Sequence, residues 1–163
     1  AWREFFQLPT LTPEKFAPAL SIYPGDERDL KALGENNWQL LDPSPVASTP
    51  DRYRRFVADS KAEFGVAKSG YVLSRCGWFS DRSACYLASG RPVLAQETGF
   101  SKHLPVGEGL FSFRNIGEAL RCIEALNSDY ERHARAARRL AEQFFDSDKV
   151  LPRLLSLTGV TPT

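Results

Sequence analysis

Short, mainly apolar runs alternate with amphipathic segments along most of the chain. Such runs, four or five residues long and bounded by proline, glycine or polar residues, are typical of strands buried in a sheet. Two apolar pieces, at residues 62–67 and 71–73, fit neither a strand period nor a helix period and stay unassigned. The pattern predicts strands at residues 20–23, 38–41, 92–95 and 109–113.

Proline and glycine mark the starts and ends of predicted helices. Thr49 before Pro50 is typical of a helix start. Ser80 or Asp81 caps a second helix that runs through Ser89 and ends at Gly90. Residues 26–33 form a helix with acidic residues in its first turn and a glycine after its end.

Two pairs of residues later in the chain have the spacing of a capping box. Asn115 with Glu118 precedes a helix that includes residues 119–126, and Ser128 with Glu131 precedes one that includes residues 130–144. A last helix covers residues 149–157. Apolar strands that alternate with helices predict an α/β fold, namely a Rossmann-like open parallel sheet with helices on both faces.

The first 18 residues differ from the rest because three prolines interrupt any helix there. We interpret residues 1–18 as a connecting arm and residues 19–163 as one Rossmann-like domain. The chain opens with Ala1 and contains no Met, which favours a piece of a longer protein.

Composition limits the partners of this domain. A net charge of +1 predicts no attraction to nucleic acid, and no apolar run reaches the roughly 20 residues of a membrane span. The three cysteines are odd in number and lack metal-site spacing, which indicates a cytoplasmic protein. His103 and His133 are far apart, and no carboxylate cluster has ligand spacing, so no metal is expected.

Ligands of open parallel sheets bind at the carboxyl ends of the strands, where loops lead into helices. The first such loop covers residues 74–81, where Gly77 permits close approach of the backbone to a ligand. Ser80 and Asp81 open a helix there, and Arg75 and Arg82 could grip phosphate oxygens. The loop is a candidate cradle for a diphosphate.

The second loop follows the strand at residues 92–95. Gln96, Glu97, Thr98 and Gly99 place an amide, a carboxylate and a hydroxyl at the end of that strand. These are the groups that recognise sugar hydroxyls, although a polar surface loop would have the same composition.

From about Arg52 to Leu157 the chain resembles the C-terminal, donor-binding domain of GT-B glycosyltransferases. In that family a helix of small residues leads into a G-x-P-V-V-like strand, a glycine-containing loop, a G-x-G strand and an E-A-L helix. The matching residues are 76–80 (CGWFS), 88–94 (ASGRPVL), Gly99, Pro105, Gly107, 109–110 (GL) and 118–120 (EAL).

The resemblance implies the GT-B C-terminal fold and the binding of a nucleotide-diphosphate sugar as donor substrate, with no cofactor. In the H-C-G-W-N-S loop of the small-molecule branch, the His, Asn and Ser lie at the donor phosphates. Only the serine is kept here, as Ser80, which implies donor contacts at that residue; Arg75 and Phe79 replace the histidine and the asparagine. The paired glutamates of the retaining branch are absent, since Gly77 and Cys85 occupy those positions. Donor base, sugar and stereochemistry therefore stay open.

The predicted function is the donor half of a glycosyltransferase that transfers a sugar to an acceptor hydroxyl. The acceptor-binding half would be a separate N-terminal domain outside this chain, so the chain alone is not expected to catalyse transfer. One alternative is a non-catalytic sugar-nucleotide or phosphate-binding module. Another is an interaction domain that docks an acidic partner through Arg132, Arg135, Arg138 and Arg139.

Overall fold

The fold is built around a parallel sheet of three strands, seen in a computed structural model that describes residues 2–159. Val93 in the central strand lies opposite Glu63 on one side and Leu110 on the other. All four residues of the central strand are buried: three apolar residues of the strand predicted at 92–95, and Gln96, which extends it by one residue. In spatial order, the strands are β1 (Glu63–Gly65), β2 (Val93–Gln96) and β3 (Leu110–Phe113).

Eight α-helices surround this sheet within residues 2–159, together with three short 3₁₀ turns. No helix in this part of the chain is long and apolar enough to cross a membrane. The helices are α1 (Glu27–Glu35), α2 (Pro43–Ala47), α3 (Pro50–Asp59), α4 (Ser69–Ser74), α5 (Asp81–Ala88), α6 (Ile116–Ser128), α7 (Tyr130–Phe144) and α8 (Ser147–Leu157).

Helices cover both faces of the sheet, as the sequence predicts. Successive residues of a strand point to opposite faces, so Val93 and Ala95 pack with α3, α5 and α7, while Leu94 packs with α6. The core therefore has two layers, one on each side of β2. The predicted α/β fold with an open parallel sheet is confirmed at this level.

Part of the segment interpreted as a connecting arm contributes to one of these layers. Phe5 and Leu8 are fully buried beside Leu94 and Phe113. The Phe5 ring contacts the Phe113 ring edge to face, with 5.3 Å between their centroids. The beginning of the chain thus packs against the same sheet face as α6.

The strands predicted at residues 20–23 and 38–41 are wrong. The structure has only a single parallel bridge there, between Ala19 and Leu41. A left-handed residue, Asn37, precedes the second segment, and α2 begins immediately after Asp42. The segment is therefore too short for a ladder, and its apolar residues serve packing instead: Trp38 is buried in a cluster with Phe6.

Several predicted boundaries also shift by a few residues. The α7 cap is Asp129, which accepts a hydrogen bond from the Arg132 N–H, and Ser128 is the last residue of α6. Helix α1 continues through Gly34 instead of ending before it. The two unassigned pieces contain β1 and half of α4.

Candidate functional site

The two loops singled out in the sequence lie side by side at the carboxyl end of the sheet. Residues 75–80 connect α4 to α5, and residues 97–99 follow β2. The Gly77 N–H donates to the Thr98 carbonyl at 2.8 Å, and the Thr98 hydroxyl donates to the Trp78 carbonyl. The structure therefore joins the proposed diphosphate cradle and the proposed sugar-reading loop into one site.

Backbone conformation keeps these loops close to each other. Gly77 and Gly99 have φ values of +78° and +101°, a region that side chains disfavour. A Cβ atom at Gly99 would lie 2.7 Å from the Arg75 carbonyl oxygen, so only glycine fits there. Arg75 itself is left-handed, with a φ of +48°, and ends α4.

The N-terminus of α5 opens into this site. Ser80 is its N-cap and is buried, yet its hydroxyl makes no capping hydrogen bond to the helix and lies 3.4 Å from the Asp81 carboxylate. The first N–H groups of a helix lack partners inside the helix and carry its positive dipole end. These groups can therefore bind an anion. Side chains cap α2, α3, α6, α7 and α8, whereas α1, α4 and α5 have no side-chain cap.

The two arginines of the first loop have different surroundings. Arg75 is exposed at the end of α4. Arg82 donates from Nε to the buried Glu63 carboxylate at 2.5 Å. Burial lowers the pKa of Arg82, but the charge and hydrogen bond of Glu63 outweigh burial, so its pKa is raised overall. Arg82 thus ties α5 to β1, and Arg75 is the more accessible cation.

The polar residues of the second loop hold the site together. Gln96 is buried and accepts a hydrogen bond from the Ala67 N–H at 3.1 Å. The Glu97 carboxylate accepts from the Gly99 N–H and the Ser112 hydroxyl, and Thr98 is fully buried. Sequence reasoning placed these three residues at the right strand end, and the structure engages their side chains within the protein.

The hydrogen bonds of Glu97 affect its ionisation. Burial raises the pKa of Glu97, but hydrogen bonds from Ser112, Ser101 and the Gly99 backbone outweigh burial, so the pKa falls below its ordinary value of 4.5. Glu97 is therefore a negatively charged anchor at neutral pH, and it keeps the loop after β2 in place.

Aromatic rings form the border of the site. Trp78 stacks on Tyr71, with centroids 5.0 Å apart and planes at 19°, and 37% of Trp78 is exposed. Phe79 packs between Phe100 and Phe145 and belongs to the framework. Sequence reasoning missed Tyr71 because residues 71–73 fit no period. Its aromatic character just before the loop was the available signal.

The two histidines have separate roles. His133 is buried and accepts a hydrogen bond at Nδ1 from the Gly109 N–H, at 3.4 Å, so it is part of the framework. His103 is exposed, and its ring carbon lies 3.8 Å from the Cβ position of Gly77, which places it beside the site. Across residues 2–159, no group of three or more His, Cys, Asp or Glu residues could hold a metal ion.

The basic face predicted on α7 is largely paired with carboxylates. Arg132 binds Glu108, and Arg138 binds Glu142 at 2.7 Å. Arg135 lies 3.9 Å from Glu131. Because exposed pairs of this kind neutralise the local charge, the face offers little net charge to an acidic partner.

Comparisons of the chain with protein-family models, with curated proteins and with solved structures found no significant match. The functional assignment therefore depends on the geometry of the site and on the order of the motifs along the chain.

Proposed function

We propose that this chain is the donor-binding half of a glycosyltransferase and that it binds a nucleotide-diphosphate sugar. The diphosphate lies at the N-terminus of α5, where Ser80 and the first helix N–H groups donate to its oxygens. Arg75 supplies a permanent positive charge from the preceding loop. Gly77 leaves room for the ligand beside the backbone, since only His103 comes within 4 Å of its Cβ position, whereas Gly99 lets the two loops touch.

One observation supports this proposal more than any other. The helix N-terminus that follows the resembling motif at residues 76–80 lacks a side-chain capping bond, although its N-cap is a serine. Serine normally uses its hydroxyl to cap its own helix. Here the hydroxyl donates only to the neighbouring Asp81 carboxylate, at 3.4 Å. It can exchange that long bond for one to a ligand, which the uncapped N–H groups of α5 also face at the carboxyl end of a parallel sheet.

The chemistry in a complete enzyme would be a displacement at the anomeric carbon. The acceptor oxygen forms a bond to that carbon while the bond to the diphosphate oxygen breaks. The leaving diphosphate gains negative charge, which Ser80, the α5 N–H groups and Arg75 stabilise in the transition state. The acceptor proton passes to a base in the other half of the enzyme.

A thermal-shift titration with UDP, ADP and GDP tests donor binding. At a hundredfold excess over Kd, a binding nucleotide raises Tm by about 5–10 °C for a chain of this size. The double variant Arg75→Ala, Ser80→Ala should lose this shift. Arg121→Ala removes one exposed charge from α6, on the other face of the sheet, and should keep the shift. If all three nucleotides leave Tm unchanged at millimolar concentration, the proposal is wrong.

A further inference from the structure

A groove of about 800 Å³ runs along the outer edge of β1 and reaches Arg82 in the first turn of α5, next to the proposed donor site. Among the described residues 2–159, β1 pairs only with β2. Residues 61–64 line the groove, so the other edge of β1 borders it. On the far side lie residues 14–20, and α3 and α6 close the two faces.

The backbone of β1 has unpaired groups on this edge. The Glu63 N–H donates to the Pro92 carbonyl, so the backbone of Glu63 faces β2. Backbone groups of successive residues point to opposite edges of a strand, so the N–H and C=O of Phe64 face the groove. An exposed strand edge of this kind is a template for pairing with another strand.

The opposite side of the groove presents a second edge. Residues 16–20 pair with residues 39–41: the Phe16 and Pro18 carbonyls accept from the backbone N–H groups of Gln39 and Leu41, at 2.9 and 3.0 Å. By the same alternation, the backbone groups of Ala17 and Ala19 point away from that pairing. Both alanines line the groove. The free edge of β1 and the free side of this bridge-paired segment thus border one groove.

The two faces of the groove differ in chemistry. The α6 face is apolar and includes Ile123, Leu126 and Phe64. The Phe64 ring contacts the Phe16 ring, with 5.5 Å between their centroids. The α3 and α5 face has polar groups from Tyr53, Ser60, Glu63, Arg82 and Tyr86.

Glu63 on that polar face has an unsatisfied oxygen. Only 4% of its side chain is exposed, and its Oε1 accepts from Arg82. Its Oε2 is buried without a hydrogen-bond partner. A buried carboxylate oxygen without a donor is destabilising. A small turn of the Glu63 side chain toward the groove would let this oxygen accept from a donor that binds there.

We propose that the groove binds an extended peptide strand of a partner protein, inserted between β1 and residues 16–20. Its backbone pairs with Phe64 on one side and with Ala17 and Ala19 on the other. Its side chains alternate, with apolar residues toward α6 and hydroxyl residues toward Glu63, where a hydroxyl donates to Oε2. Unpaired backbone groups on both β1 and residues 16–20 favour a peptide over a compact ligand, because a compact ligand leaves those groups unpaired.

The probe is the peptide Lys-Val-Thr-Val-Thr-Val-Thr-Lys, acetylated and amidated. Its Val–Thr alternation matches the two faces of the groove in every register that directs Val toward α6 and Thr toward Glu63. We expect saturable binding that slows amide hydrogen exchange at Phe64, Ala17 and Ala19 by tenfold or more. The control peptide has proline in place of the third Val, cannot complete the strand, and should not bind.

Replacing every Thr of the probe by Val removes the donors to Glu63 and should weaken binding by about tenfold, since hydrogen bonds to charged groups are among the stronger ones. The variant Glu63→Met removes the acceptor, so the two peptides should then bind equally. An unchanged amide spectrum away from position 63 checks that this variant folds.

Three results would overturn the inference. The first is no binding of the Val–Thr peptide at millimolar concentration. The second is binding without protection of Phe64 and Ala19, which would indicate another surface. The third is concentration-dependent dimerisation that protects the same amides without peptide, since the occupant would then be a second copy of this chain. This inference does not depend on the proposed donor site, so either can fail alone.

Discussion

Gly99 shows how a single residue permits the two loops of the site to touch. Its φ is +101°, and its missing Cβ leaves space for the Arg75 carbonyl. Gly107 is a natural control because its φ of +109° is similar, yet nothing lies within 4 Å of its Cβ position. Comparing substitutions at Gly99 and at Gly107 therefore separates the effect of backbone strain from the effect of loop contact.

We predict that Gly99→Ala lowers the free energy of unfolding by about 3 kcal/mol, because left-handed strain adds to overlap with the backbone of Arg75. Gly107→Ala adds only the strain and should lower it by about 1 kcal/mol. Urea unfolding at pH 7 measures both values. Equal losses would show that the loops are not in close contact at Gly99.

A pH dependence follows from Glu97. Its pKa is lowered in the folded protein from an ordinary value of 4.5. A carboxylate of this kind contributes stability that is fully present above its unfolded pKa and is lost as the pH falls through the folded pKa. Glu97→Gln should therefore be less stable than wild type at pH 7, and the difference should shrink as the pH falls below 4.5.

Urea midpoints of both proteins between pH 3 and pH 7 test this dependence. Glu124→Gln removes an exposed carboxylate from α6 and serves as the control, with no comparable change expected. If the gap between Glu97→Gln and wild type stays constant across this range, the Glu97 carboxylate does not anchor the loop.

At the scale of elements, the N-caps of α5 and α6 differ in whether the side chain bonds to its own helix. The Asn115 side chain accepts from the Glu118 N–H at 2.9 Å and caps α6, whereas Ser80 makes no such bond in α5. Asn115→Ala should lower the free energy of unfolding by about 1 kcal/mol. Ser80→Ala should lower it by less than about half of that and should still reduce nucleotide binding. A larger loss in Ser80→Ala would assign Ser80 a structural role.

Elements with a local signal could be predicted from the sequence. Thr49 with Pro50 marks the start of α3, and Asn115 with Glu118 marks α6, because a cap and its first turn are neighbours in the chain. The strands at residues 20–23 and 38–41 could not be judged in this way. Whether an apolar run pairs or only packs depends on distant partners, here the cluster around Trp38.

The candidate site also combines features with a local signal in the sequence and contacts between distant residues. The place of the two loops follows from the rule for strand ends, and the structure brings them together. The engagement of Arg82 by Glu63 and of Gln96 by the Ala67 N–H depends on pairs that are 19 and 29 residues apart. No local pattern contains such contacts, so the sequence located the site without showing which side chains are available in it.

At the scale of the whole molecule, the first residues of the chain help to form the core. Phe5 is fully buried against the sheet, while Leu11, a few residues later, is 52% exposed. Phe5→Ala should lower the free energy of unfolding by about 3–5 kcal/mol. Leu11→Ala should change it by no more than about 0.5 kcal/mol. Urea unfolding distinguishes the two, and equal small effects would show that the beginning of the chain is not part of the core.

The central claim is that a nucleoside diphosphate binds between the two loops at the N-terminus of α5. An ¹⁵N-HSQC titration with UDP, ADP and GDP tests it most directly, because each backbone N–H reports its own surroundings. For at least one nucleotide we expect the largest shifts at residues 75–83 and 97–99, with saturation, and we expect Arg75→Ala to weaken the binding. Shifts centred on the α7 basic face or on the β1 groove, or no shifts at millimolar nucleotide, would contradict it.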